Sequence, residues 1–159
     1  MPGGREIERK YLVEAGELPG DLKECPAEEL LQGYVAVTRD GNEVRLRKRG
    51  DRYFLTVKSR GGRIRREGEI EISREQFELL WPFTGGRAVE KTRYQIEWER
   101  ATIEVDVYSG RLEGLVTAEV EFASPEESER FSPPDWFGRE VTEDPRYKNE
   151  SLALHGIPE

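Results

Sequence analysis

Acidic and basic side chains recur at every second position along several runs of this chain, and the residues between them are largely apolar. In the run from Glu6 to Val13, Glu6, Glu8 and Lys10 alternate with Ile7, Arg9 and Tyr11. Side chains two apart in a strand share a face, so this segment would present two carboxylates and an ammonium together. The same spacing groups Glu43, Arg45, Arg47 and Arg49; Thr56 and Lys58; Arg63, Arg65, Glu67, Glu69 and Glu71; Lys91, Arg93 and Gln95; Thr102, Glu104 and Asp106; and Thr117, Glu119 and Glu121. Crowded Arg and Lys side chains favour a polyanion, and the planar guanidinium fork suits phosphate. The acids would repel that ligand unless divalent cations bridge the two. The single histidine, His155, and the single cysteine, Cys25, leave only carboxylates as ligands, which points to Mg²⁺ or Mn²⁺ over Zn²⁺. The residues alone therefore suggest a metal-dependent polyphosphate or nucleotide site. No glycine-rich phosphate loop is present, so side chains must hold the phosphates.

Eight strands would position these groups, over about 5–13, 31–38, 42–49, 52–59, 64–72, 88–98, 101–109 and 115–122. Turn signals at Asp40-Gly41-Asn42, Gly50-Asp51, Gly61-Gly62 and Ser109-Gly110 make the sheet mostly antiparallel. The second strand would show Gln32, Tyr34, Ala36 and Thr38 on one face and Val35 and Val37 on the other. Other apolar faces offer Val44 and Leu46; Tyr53, Leu55 and Val57; Ile64, Ile70 and Ile72; Tyr94, Ile96 and Trp98; Ile103, Val105 and Val107; and Val120 and Phe122. The first, seventh and eighth strands are acidic, while the third, fourth and sixth are basic. If the sheet closes, the charged faces line a tunnel and the apolar faces lie outside under helices, the inverse of a small barrel filled with apolar side chains. Ser73 and Gln76 have capping-box spacing before Phe77, Leu79, Leu80 and Trp81, and Pro82 stops that helix. Ser124 and Glu127 repeat the signal with Pro125 at the first helical position and Phe131 as the anchor. A short helix spans 149–155, and 14–30 and 132–146 read as loops.

The length of 159 residues suits one domain, residues 1–159, of α+β, mainly antiparallel β class. Charged residues make up 36% of the chain, against about a quarter in an ordinary domain. The excess alternates with apolar residues, which argues against disorder. A net charge of −8 disfavours nucleic acid. No apolar run or signal region appears, and one cysteine, Cys25 beside Pro26, is read as a bystander. The expectation is a soluble, cytoplasmic protein with no membrane partner, and a homodimer is compatible with the sequence.

The chain resembles the CYTH domain, or triphosphate tunnel metalloenzyme, family, and its short bacterial inorganic tripolyphosphatase branch in particular. Glu6-x-Glu8-x-Lys10 matches the N-terminal signature of that family. The match continues through Gln32-Gly33-Tyr34, Glu43 to Arg47, Thr56 to Lys58, Arg65-x-Glu67-x-Glu69, Glu90 to Arg93, Glu104-x-Asp106, Glu119 to Phe122, Val141 to Asp144 and Arg146 to Asn149. Trp81-Pro82 and Trp136 to Gly138 favour the short branch. The resemblance implies an eight-stranded closed tunnel. It implies that Arg45, Arg47, Lys58, Arg65, Lys91 and Arg93 bind phosphate oxygens, and that Glu6, Glu8, Glu119 and Glu121 hold two metal ions. Glu67, Glu69 and Asp106 would complete the acidic wall or orient the cations. Lys10 and Tyr34 match a catalytic Lys–Tyr pair beside the attacked phosphate, and Lys148 would close one tunnel mouth. Arg39, Arg49, Arg52, Arg60 and Arg66 are expected at the rim or in solvent, and Arg63 is unassigned.

The expected reaction is hydrolysis of tripolyphosphate to pyrophosphate and phosphate with two Mg²⁺ or Mn²⁺ ions. Nucleoside or thiamine triphosphate hydrolysis and class IV-type adenylyl cyclase activity are alternatives. They require a base or ring contact at a tunnel mouth, where 14–30 and 132–146 are available. A non-catalytic polyphosphate-binding module is a further alternative, against which the acidic wall argues.

Overall fold

A computed structural model describes residues 7–59 and 66–159. Glu6, Arg60, Gly61-Gly62, Arg63, Ile64 and Arg65 lie outside the described residues. Eight antiparallel strands form one sheet: β1 (Ile7–Leu12), β2 (Ala27–Val37), β3 (Glu43–Arg49), β4 (Arg52–Ser59), β5 (Arg66–Ile72), β6 (Ala88–Trp98), β7 (Ala101–Ser109) and β8 (Val116–Phe122). Their spatial order is β1-β8-β7-β6-β2-β3-β4-β5. Three short helices accompany them: α1 (Arg74–Leu80), α2 (Pro125–Arg130) and α3 (Asn149–His155). Among the described residues, no helix is long and apolar enough to cross a membrane.

Local sequence explains most of these elements. β3 turns into β4 at Gly50, whose φ of 59° favours glycine, so that Arg49 pairs with Arg52. Ser73 caps α1 by accepting from the Gln76 amide at 3.1 Å, while its own amide donates to Gln76 Oε1 at 2.8 Å. Ser124 accepts from the Glu127 amide at 3.2 Å, and Pro125 opens α2. β2 begins at Ala27, earlier than its apolar alternation suggests, because Ala27–Gly33 pairs with β6 through Tyr94–Ala88.

The two faces of the sheet have opposite characters. On the outer face Ile103, Val105, Ala118 and Val120 are fully buried, covered by Leu18, Leu22, Phe131, Trp136 and Phe137 from the segments between strands. The apolar faces thus pack outward, as the alternation implies. The inner face carries the charged residues and, beside them, a second core of Tyr34, Val89, Tyr108, Leu112, Val141, Tyr147, Leu152 and Ala153, in which α3 packs against β6 and β2. Val89 shares the parity of Lys91, and Tyr108 that of Asp106, so one face carries both charged and apolar side chains.

Two features correct the sequence reading. The sheet is not closed among the described residues: β1 pairs with β8 on one side only, and β5 pairs only with β4. The remaining edge of β1 is taken by the C-terminal segment. The Leu12 amide donates to Arg139 O at 2.8 Å, the Gly138 amide to Leu12 O at 2.7 Å and the Val141 amide to Lys10 O at 2.8 Å, with a bridge between Tyr11 and Glu140. A strand edge occupied in this way cannot also pair with β5. The second correction is a bulge in β2. Tyr34 pairs with Arg45 but Ala36 pairs with Val44, so Val35 is an extra residue. The alternation therefore shifts, and Val37 packs against the core that holds Tyr34.

Gly33 marks a close approach. A Cβ there would lie 2.8 Å from Trp81 Cζ3 and from Thr84 Cγ2. A rigid indole cannot step aside, so Gly33→Ala should lose about 1–3 kcal/mol in urea unfolding. Gly16 has no heavy atom within 4 Å of such a Cβ. Gly16→Ala should stay within about 0.5 kcal/mol of the parent. Equal losses would refute this packing of Trp81 on β2.

Candidate active site

The strand order sorts charge into two walls. The acidic strands β1, β8 and β7 are consecutive, and the basic strands follow through β6, β2, β3 and β4. One cavity of about 420 Å³ touches strands from both groups: Glu8 and Lys10 of β1, Glu119 of β8, Arg93 of β6, Tyr34 of β2, Arg45 and Arg47 of β3, and Lys58 of β4. Contact from β1 to β4 means that the sheet curls around this space. Val141, Thr142, Asp144, Tyr147, Lys148, Asn149 and Glu150 line the remainder.

The basic wall is short of counter-charge. Arg45 pairs with Tyr34 and Arg47 with Gln32 across β2–β3, so both face the cavity. Arg45 is only 7% exposed, and its Nε has no hydrogen-bond partner. Arg47 Nε donates to Gln32 Oε1 at 3.2 Å, and Gln32 Nε2 donates to the Tyr34 hydroxyl at 3.3 Å. Burial and the neighbouring Arg45 charge push Arg47 down to about 10, against a smaller pull from Glu69. Lys58 Nζ lies 3.7 Å from Glu43 Oε1. Burial drives the Tyr34 hydroxyl up to about 12 despite Arg45 beside it, so it stays protonated at neutral pH.

Ion pairs stitch the walls together at the β6–β7 boundary. Asp106 accepts from Arg93 Nε at 2.8 Å and Nη2 at 3.0 Å, and from Lys91 Nζ at 2.9 Å. Burial raises its pKa, but Lys91 and Arg93 outweigh that and hold it below the usual carboxylate range. Arg93 Nη1 also reaches Glu104 at 2.7 Å. Burial lowers the Lys10 pKa, opposed by Glu119, Asp106 and Glu8, and Lys10 Nζ donates to Tyr147 O at 2.6 Å.

The structure therefore gathers Glu8, Lys10, Tyr34, Arg45, Arg47, Lys58, Arg93, Glu119 and Lys148 around one space. Lys91 and Asp106 stand behind it, both nearly fully buried, with Lys91 Nζ also 3.4 Å from Asn149 Oδ1 at the start of α3. Glu121 pairs with Glu8 across β1–β8, shares the face and is exposed. Glu67 pairs with Lys58 across β4–β5, and Glu69 accepts from the Thr56 hydroxyl at 2.7 Å. Arg49 sits at the exposed rim, paired with Glu28 at 3.2 Å. Gln32 and Glu43 lie on the alternating faces but were given no role by the sequence, and Thr142, Asp144, Asn149 and Glu150 contribute from outside the strands. Gln32, Glu43 and Asn149 belong to the resemblance motifs quoted above, and Thr142 and Asp144 lie within the Val141 to Asp144 match, so a signal was present for all of these except Glu150.

A divalent cation fits the donor chemistry of the acidic wall. Glu119 faces Glu104 across β7–β8 and Lys10 across β1–β8, and Glu8 faces Glu121, so four carboxylates offer hard oxygen donors. Among the described residues no three acidic groups converge tightly enough to hold an ion unaided. A cation here would share its coordination with phosphate oxygens.

The chain is similar to known proteins over nearly its whole length. An inorganic triphosphatase of Nitrosomonas europaea is 51% identical over 150 residues, covering 94% of this chain and 97% of its relative. An inorganic triphosphatase of Acetivibrio thermocellus is 41% identical over 155 residues, covering 94% of each. A crystal structure of an inorganic triphosphatase superposes with a TM-score of 0.82 at 48% identity, covering 98% of each chain. The CYTH domain family model matches residues 4–157, and the chain belongs to the CYTH domain family.

Proposed function

We propose that this protein is an inorganic triphosphatase, hydrolysing tripolyphosphate to pyrophosphate and phosphate. The observation that carries this reading is the pair Arg45 and Arg47, side by side on the cavity, Arg45 buried with an unpartnered Nε and Arg47 half-buried. Such a wall accepts a compact, highly charged anion. The relatives that bear this activity in their names support it over 94% of the chain.

The family implies dependence on a divalent cation, and we assign Mg²⁺ or Mn²⁺, two per site, to Glu8, Glu119, Glu121 and Glu6. Bound there, the ion would supply Lewis-acid charge against the phosphate oxygens. Arg45, Arg47, Lys58 and Arg93 hold the chain of phosphates and balance the charge on the transferred phosphoryl group. Lys148 closes over the substrate from the C-terminal segment, and Arg65 is assigned to the phosphate oxygens by the family resemblance. Lys91 contributes through Asp106, which keeps the Arg93 fork aimed. Lys10 and Tyr34 flank the reacting end. Tyr34, protonated at neutral pH, donates a hydrogen bond to a phosphoryl oxygen. Water oxygen bonds to the terminal phosphorus, the bridging P–O bond breaks, pyrophosphate leaves with that bond's electron pair, and the proton lost by the water passes to the departing pyrophosphate oxygen or to solvent. Glu67 and Glu69 balance the basic wall from β5.

A substrate panel tests the reading. With Mg²⁺ or Mn²⁺, tripolyphosphate should give pyrophosphate and phosphate faster than ATP or thiamine triphosphate is consumed, and EDTA should abolish turnover. Preferential ATP hydrolysis, cyclic AMP as product, or full activity in metal-free buffer would each contradict it. A second test separates two arginines on one strand face. Loss of a buried, charge-assisted phosphate contact costs a few kcal/mol, so Arg47→Ala should lower kcat/KM at least about a hundredfold. Arg49, exposed and paired with Glu28, should lose less than about tenfold as Arg49→Ala, with an effect that fades in salt. Equal losses across a salt series would move the substrate away from the middle of β3.

A further inference from the structure

Arg87 stands outside the cavity, at the entrance to β6, yet its guanidinium is spent on the strand that carries Tyr34. Its Nε donates to Tyr34 O at 3.1 Å, and its Nη2 donates to Val35 O at 3.2 Å and Phe83 O at 3.0 Å. Its own carbonyl accepts from the Tyr34 amide at 2.9 Å, and its amide donates to Thr84 O at 3.0 Å. Tyr34 and Val35 are the residues at which the β2–β3 register slips, where a bulge breaks the regular ladder. Gly33, immediately before them, is pressed against Trp81 and Thr84 of the same turn. The bulge is thus gripped through its carbonyls on one side and through Gly33 on the other.

The position of the bulge decides which way Tyr34 points. A shift of register by one residue moves every side chain beyond it to the opposite face. With the bulge after Tyr34, that ring stays opposite Arg45 and on the cavity, and its hydroxyl meets Gln32. We propose that Arg87 is a positioning residue for catalysis, holding the β2 bulge in the register that keeps the Tyr34 hydroxyl in the active site. The inference rests on the role given to Tyr34 above.

A double-mutant cycle in kcat tests it, with tripolyphosphate as substrate and a divalent cation present. Tyr34→Phe should lower kcat by about tenfold or more. Arg87→Ala should lower kcat by about tenfold while KM stays within about threefold, and the double variant should be no slower than the slower single variant. Arg87→Lys, which keeps donors but not the fork, should recover part of the rate. If Arg87→Ala does not fold, Arg87→Gln, which can reach one carbonyl, replaces it in the same cycle. Multiplicative losses in the double variant, a rise in KM alone, or an unchanged kcat on losing Arg87 would overturn the inference and leave the function standing. Wild-type kcat in Tyr34→Phe would remove the role of Tyr34 and this inference with it.

Discussion

Two neighbouring guanidinium groups, one buried and one half-buried, are the constraint around which this molecule is organised. Arg45 and Arg47 project from one face of β3, and Arg45 is almost fully buried. Burying a charge is costly unless a partner compensates. Several carboxylates of the site are engaged elsewhere: Asp106 and Glu104 hold Arg93, Asp106 holds Lys91, Glu43 lies 3.7 Å from Lys58, and Glu69 takes the Thr56 hydroxyl. Burial first, and the neighbouring Arg45 charge second, depress the pKa of Arg47. The remaining negative charge must come from a ligand, and the acidic wall opposite admits that ligand together with divalent cations.

The fold meets this constraint by putting its stability elsewhere. Ile103, Val105, Ala118 and Val120 are removed from water on the outer face, and Leu152 and Ala153 of α3 against the inner face. The strand order places β1, β8 and β7 together, and Asp106 links the basic strand β6 to them. The C-terminal segment serves both ends. It occupies the open edge of β1, brings the Tyr147 carbonyl to Lys10, and leads into the helix that fills the apolar end.

Much of this was legible in the sequence because it is local. Period-two alternation gives the strands and their faces, Gly50 gives the β3–β4 turn, and Ser73 with Gln76 gives the start of α1. The segregation of acidic from basic strands was also visible, and it points to the chemistry before any coordinates. Pairing between distant strands was not, since nothing in β2 alone specifies β6 as its neighbour. The β2 bulge is gripped by Arg87 and Trp81, far along the chain, so plain alternation puts Val37 on the wrong face. Segment 138–142 lacks alternation because it meets β1 through a single bridge and a few backbone bonds, and it reads as a loop although it occupies the edge that a closed barrel requires.

The central claim is that the cation wall is preformed and short of negative charge. The most direct measurement is the melting temperature with tripolyphosphate in EDTA, where no metal contributes. A ligand at about a hundred times its dissociation constant adds about 2.7 kcal/mol, which is a rise of roughly 5–10 °C for a domain of this size. The account predicts that rise, a smaller one as salt increases, and its loss in Arg45→Ala. An unchanged melting temperature at saturating tripolyphosphate, or a shift that survives Arg45→Ala, would contradict it.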